Sequence, residues 1–150
     1  MPKWLFWLLS WTWGIIMTTI GSIVALGLIV AGYKPQRNQY GWVFIIGKHW
    51  GGVEMGPFAI VNEKPSQHIL DHEFGHSLQN CYIGPLMPFI SLASAARYWW
   101  REYLVQVKKK KYSELPDYDD IRFEGTASYL GKHIINSQII YNQRSRKTPF

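Results

Sequence analysis

Residues 4–33 contain no Lys, Arg, Asp, Glu or His, and this uncharged run constrains the chain more than any other feature. A stretch of roughly 20 apolar residues crosses a bilayer core about 30 Å thick, so residues 14–32 (GIIMTTIGSIVALGLIVAG) predict a transmembrane helix. Trp4, Trp7, Trp11 and Trp13 precede it, as expected of a segment lying at the interface, where indole rings prefer to sit. Gly14, Gly21 and Gly27 do not oppose a spanning helix, and the small pair Gly21 and Ala25, four apart, suits a close helix–helix contact. A cleavable signal peptide would have a shorter apolar region of about 7–15 residues before a small-residue cleavage site. Here the run is longer and Ile29-Val30-Ala31 is a poor site, so an uncleaved anchor over residues 1–33 is expected.

Charge sets the expected orientation. Lys3 stands before the run, whereas Lys34, Arg37 and Lys48 follow it, with Lys108–Lys111 further on. The positive-inside bias therefore places the remainder of a single-pass membrane protein in the cytoplasm. With 16 Lys+Arg against 10 Asp+Glu the net charge is +6. A nucleic-acid partner is not expected, because the basic residues flank the apolar run and fill one loop. At 150 residues, 47% hydrophobic and 17% charged, the chain is neither disordered nor long enough for two large domains. The single cysteine, Cys81, excludes an intramolecular disulfide framework and reads as a buried small hydrophobe.

Beyond Pro35 the pattern changes. Residues 40–47 (YGWVFIIG) and 53–61 (VEMGPFAIV), joined by a Gly-rich turn, predict a β-hairpin, and Gly56-Pro57 marks the second strand as an edge or a bulge. An edge strand beside a cleft can pair with an extended peptide. Ser66 is a candidate N-cap for a helix over 67–80. Residues 77–96 carry no charge but hold Gly84-Pro85 and Pro88, which predicts a buried connection, with a membrane-embedded segment at 81–96 as the alternative. Residues 91–107 read as a helix whose Arg97, Tyr98, Trp99, Trp100 and Arg101 suit a membrane surface. A last helix is expected over 117–130, ended by Gly131, and residues 132–150 form a basic tail that is loose at its end.

The chemistry lies in His72-Glu73-Phe74-Gly75-His76, an HExxH motif within the capped helix. Residues four apart share a helix face, so both imidazoles can reach one metal ion, and Glu73 points to where a metal-bound water would sit. Zinc suits the pair, since it accepts neutral imidazole and keeps one position open. A catalytic zinc needs a third protein ligand, and Glu102, Glu114, Asp117, Asp119, Asp120, Glu124 and His133 are the candidates. Glu124 stands out because its small neighbours Gly125, Thr126 and Ala127 would allow close helix packing and an acid in such company needs a partner; the alternative is a surface carboxylate paired with Arg122 or Lys132. His68, one turn before His72, fits a helix-start or outer role better than a fourth ligand. An oxyanion donor is also required, and Tyr129, His133 and His49 are the candidates.

HEFGH followed by a glutamate on a later helix resembles the gluzincin metallopeptidases, including their compact minigluzincin forms, and the run HEFGHSLQNCYIGPL is similar to membrane-linked zincin-like proteins. The resemblance covers residues 53–131. It implies His72, His76 and Glu124 as zinc ligands, Glu73 as general base, and a peptide or protein substrate. Where the family pattern places Asp four residues after the ligand glutamate, this chain has Ser128, and Asp120, one turn before Glu124, is the candidate substitute for that outer hydrogen bond. The expected architecture is α+β: a transmembrane helix, then a zincin-like domain over 34–131 built from a short hairpin and two metal-ligand helices. The expected function is membrane-anchored peptide hydrolysis, with a non-catalytic zincin-like protein holding a structural zinc as the alternative.

Overall fold

In a computed structural model describing residues 1–48, 50–117 and 120–135, the chain adopts an α+β fold. His49, Asp119 and the tail beyond residue 135 lie outside the described residues. The uncharged run divides into α1 (Lys3–Trp11) and α2 (Ile15–Val30), bent by 92° across Thr12–Gly14. The break falls where the sequence predicts the interface to end. Among the described residues no single helix is long and apolar enough to cross a membrane, though the bent pair passes by length and composition; α2, with 16 residues, is about 24 Å long.

The first helix contributes to the core. Phe6 is fully buried and meets Tyr40 edge-on at 5.3 Å, and the Tyr40 hydroxyl donates to the Met1 carbonyl at 2.7 Å. Trp4 and Trp11 point outward, while Trp13, half exposed, donates its indole N–H to the Tyr82 carbonyl at 3.3 Å. The core continues through Val43, Ala59 and Val61 of the sheet to Leu70, Phe74, Leu78 and Cys81 of α3. That α3 series recurs at steps of three and four, one stripe of a helix. Cys81 is buried beside Ser10 and the Phe6 carbonyl, as a small hydrophobe would be.

The strands β1 (Gln36–Arg37), β2 (Trp42–Ile45), β3 (Gly52–Met55) and β4 (Phe58–Val61) form a mixed sheet in the order β1-β2-β4-β3. The hairpin expected between 40–47 and 53–61 is replaced by another connection. β2 pairs in parallel with β4, while β3 pairs antiparallel with β4 around Gly56-Pro57. Gly56 takes φ +68°, which two-residue hairpin turns favour and which only glycine adopts without penalty. The pair read as an interruption in one strand is the turn between two. β3 is left at the sheet edge, and Pro57 sits in the turn rather than in an edge strand.

α3 (Gln67–Ile83) starts where predicted, with the Ser66 hydroxyl accepting from the Ile69 N–H at 3.2 Å, and runs three residues further than expected. After a 3-10 turn (Gly84–Leu86), α4 (Met87–Gln106) carries Pro88 in its first turn, where a missing N–H costs nothing. Only Met87 of α4 is buried. The expectation of a buried connection over 77–96 is therefore corrected: α3 supplies the buried part, and α4 turns its apolar residues outward. A second 3-10 turn (Tyr112–Glu114) leads to α5 (Arg122–Leu130), which begins five residues later than predicted. Gly131 does not end the helical path. It keeps helical angles and opens a π-helical turn (Gly131–Ile135), and a Cβ there would meet the Asp71 carbonyl oxygen at 1.7 Å. The glycine is needed for packing rather than for a left-handed stop.

Candidate metal centre

α3 presents two faces of different chemistry. Its apolar stripe faces the sheet and α1, while His72 and His76, nearly opposite, meet α5. Between them Gly75 removes the side chain that would keep α5 away, since a Cβ there would lie 1.9 Å from the Ala127 carbonyl oxygen. This backbone-level approach delivers Glu124, 1% exposed, to the two imidazoles.

His72 Nε2, His76 Nε2 and Glu124 Oε2 stand at the corners of a triangle whose three sides are each 3.1 Å. Ligand atoms bonded to one tetrahedral zinc at 2.0–2.1 Å lie about 3.3 Å apart, so the spacing fits a small divalent cation. The outer hydrogen bonds prepare the histidines for it. Gln79 Nε2 donates to the Phe123 carbonyl at 2.8 Å, which turns Gln79 Oε1 toward His76 Nδ1, also at 2.8 Å. An amide oxygen only accepts, so His76 Nδ1 carries a proton and Nε2 is the ring nitrogen left facing the triangle. His72 Nδ1 contacts the Ser128 hydroxyl at 2.8 Å. Phe123 stacks on the His76 ring with centroids 5.1 Å apart. The second carboxylate oxygen of Glu124 accepts from the Ser94 hydroxyl of α4. Burial by itself would raise the Glu124 carboxyl, but bonds to His72 and His76, the charge on His76 and the Ser94 hydroxyl outweigh it and hold it well below the usual carboxylate range. His72, His76 and Glu124 can hold a metal ion; the donor set does not by itself fix which one.

Glu73 is buried at the adjoining wall, with its pKa pushed up to about 7 by burial first, opposed by His72 and reinforced by the charge of Glu124. The edge strand makes room for it, because a Cβ on Gly52 would lie 2.6 Å from Glu73 Oε1. The centre opens into a cleft of about 870 Å³ bordered by β3, α3 and α4, with Gly52, Glu54, Glu73, Ser94, Tyr98 and Arg101 among its lining.

The other sequence candidates lie elsewhere. Glu102 and Asp117 border the cleft, but Glu102 bonds Tyr112 and Gln106 and Asp117 offers its carbonyl to Arg97, while Glu114 accepts from the Lys111 N–H. Asp120 is exposed and makes no bond to either histidine; Ser128 and Gln79 take those places. Tyr129 and His133 stack on one another at 4.2 Å and do not line the cleft, which removes them as oxyanion donors. Tyr98 and Arg101 of α4 are among the donors that do line it. His68 borders the cleft with its ring 6.2 Å from that of His72, outside the ligand triangle.

Three residues of the site escape the sequence reading. Gln79, three residues after His76, shares a helix face with it and was readable from spacing. Ser94 comes from a helix 30 residues away and has no local signal. Glu54 is the lone acid in the apolar run 53–61; it is buried on β3, with Oε1 lacking a hydrogen-bond partner. Burial, then the charge of Glu73, raise its pKa well above the usual carboxylate value, with the Gly56 N–H opposing them. A carboxyl whose folded pKa exceeds its unfolded one holds its proton longer in the folded chain, so stability falls as pH rises from about 4.5 through the folded value. Glu54→Gln is accordingly expected to raise the melting temperature by several degrees at pH 7 and by nothing at pH 4. Equal shifts at both pH values in thermal scans would reject this account of Glu54.

Comparison with known proteins finds no family model, no curated protein and no solved structure that this chain matches.

Proposed function

We propose that this chain is a membrane-anchored zinc metallopeptidase of gluzincin type, with His72, His76 and Glu124 as ligands and Glu73 as general base. The observation that carries the reading is the 3.1 Å triangle of two imidazole nitrogens and one carboxylate oxygen, set beside a buried glutamate in a cleft. Zinc, when bound, supplies Lewis acidity and lowers the pKa of a water to about 7. Glu73 takes the proton of the attacking water and delivers it to the leaving nitrogen. β3, the edge strand on the cleft wall, offers its free backbone edge to an extended peptide. Tyr98 and Arg101 of α4, which line the cleft, are the candidate donors to the developing oxyanion. The anchor is the pair α1–α2, uncharged after Lys3, and the basic residues after it favour a cytoplasmic catalytic domain.

A second reading keeps the metal for structure only. It is favoured by Ser128 and Gln79, uncharged groups where an outer carboxylate would make the ligands more basic. Full-length protein purified in detergent should contain about one zinc per chain by elemental analysis. Glu73→Gln should keep that zinc and lower cleavage of an unstructured peptide by roughly 10²–10⁴-fold. Zinc retained with no hydrolysis of a broad peptide library by the wild type would select the structural reading, and absence of any transition metal would remove both.

A further inference from the structure

α4 is amphipathic in the reverse sense to a helix on a soluble protein. Phe89, Leu92, Ala96, Trp100, Tyr103 and Val107 recur at steps of three and four and face outward, with Phe89, Leu92 and Trp100 at 70%, 69% and 60% exposed. Ser91, Ser94, Ala95, Tyr98, Arg101 and Glu102 recur on the opposite side and line the cleft. A charge-free aromatic stripe this long is a binding surface rather than scattered exposure. Lys108–Lys111, all exposed, follow immediately after it. α4 also touches α2, on which Ile16, Ile20, Ile23 and Leu26 are exposed.

We propose that α4 lies in the plane of an anionic lipid surface, with its aromatic stripe at the boundary between headgroups and acyl chains and Lys108–Lys111 on the headgroups. Trp and Tyr concentrate at that depth, basic runs beside an apolar helix bind anionic headgroups, and an interfacial helix buries one apolar face 5–10 Å deep while its other face stays wet. A second copy of the chain is a poorer occupant, because it brings a further net charge of +6 and an identical lysine run. The cleft then runs along the lipid surface with α4 as the wall between them. On the peptidase reading above, on which this consequence alone rests, the substrates are peptide segments emerging from the bilayer.

The test uses the full chain in nanodiscs of phosphatidylcholine and phosphatidylglycerol. An environment-sensitive dye is attached at Leu92→Cys or Tyr103→Cys on the stripe, or at Ala95→Cys in the cleft. Native Cys81 is 3% exposed and stays in place; the unsubstituted chain serves as the labelling control, and circular dichroism verifies each variant's fold. Lipids carrying a nitroxide high on the acyl chain should quench positions 92 and 103 equally and several-fold more than position 95, whereas aqueous iodide should reverse that order. Replacing Lys108–Lys111 with Gln, or omitting phosphatidylglycerol, should weaken the lipid quenching. Iodide reaching 92 and 103 as readily as 95 overturns the proposal. So does a difference in depth between 92 and 103, which indicates a spanning helix, or protection that grows with the number of chains per disc, which indicates a second copy. None of these readouts depends on hydrolysis, so failure of the docking and failure of the peptidase reading are separable.

Discussion

Glu124→Ala is expected to leave the purified protein without stoichiometric metal. Glu124 supplies the one anionic atom of the triangle, Oε2, at 3.1 Å from each imidazole nitrogen, and two neutral imidazoles do not complete the three-ligand set of a catalytic zinc. Loss of a partner outside the ligand shell costs about 10–100-fold in affinity; loss of the anionic ligand should exceed that range. The comparison that isolates charge is Glu124→Gln, which keeps the volume and a group able to accept from Ser94. Its affinity should fall between those of wild type and alanine. Gln79→Ala should fall within the 10–100-fold range, because only the orientation and tautomer of His76 are lost. Competition against a zinc chelator measures all three. Unchanged stoichiometry and affinity in Glu124→Ala would remove it as the third ligand.

The second large effect is steric. Glycine within a helix costs about 1 kcal/mol relative to alanine, so Gly75→Ala would stabilise α3 if it stood alone. In the folded chain the new methyl would meet the Ala127 carbonyl oxygen at 1.9 Å and its carbon at 2.5 Å. No rotamer relieves a contact with main chain, and overpacking typically costs 1–3 kcal/mol, occasionally more. The clash outweighs the propensity gain, giving a net loss of about 1–2 kcal/mol or a drop in melting temperature of roughly 2–8 °C for a chain of this size. Displacement of α5 should also carry Glu124 away from the histidines and weaken metal binding. Gly131→Ala should act in the same direction through Asp71, while Ala127→Gly should not rescue Gly75→Ala, because the obstructing atom is a backbone oxygen. A Gly75→Ala protein as stable and as metal-loaded as wild type would contradict the close α3–α5 approach.

The parts readable from the sequence were those with local causes. Ser66 caps α3 because a hydroxyl three residues before an amide is a short-range arrangement, and His72 and His76 share a face because of helical periodicity. Glu124 was readable by the small residues that follow it. The sheet was misread because Gly56-Pro57 and the stretch 47–52 carry turn signals of similar strength, and only tertiary pairing decides that the first is the hairpin turn and the second the passage to the far edge. The helix over 91–107 was legible, but the first half of α4 was misread as a buried connection because an uncharged segment is compatible with burial by a core and by lipid. Ser94 and Tyr98 reach the cleft from a helix whose placement depends on packing between distant elements, which no local pattern encodes.

The burial of Phe6 has a practical side. Trimming a hydrophobic leader to obtain a detergent-free fragment is a common first step with proteins of this kind, yet a fragment starting at residue 34 would lose the ring that fills the space beside Tyr40, Val43 and Phe74. It would also expose Cys81, which the first helix covers. A preparation shortened in that way should aggregate or oxidise, and a failure to find metal in it would say nothing about the intact molecule.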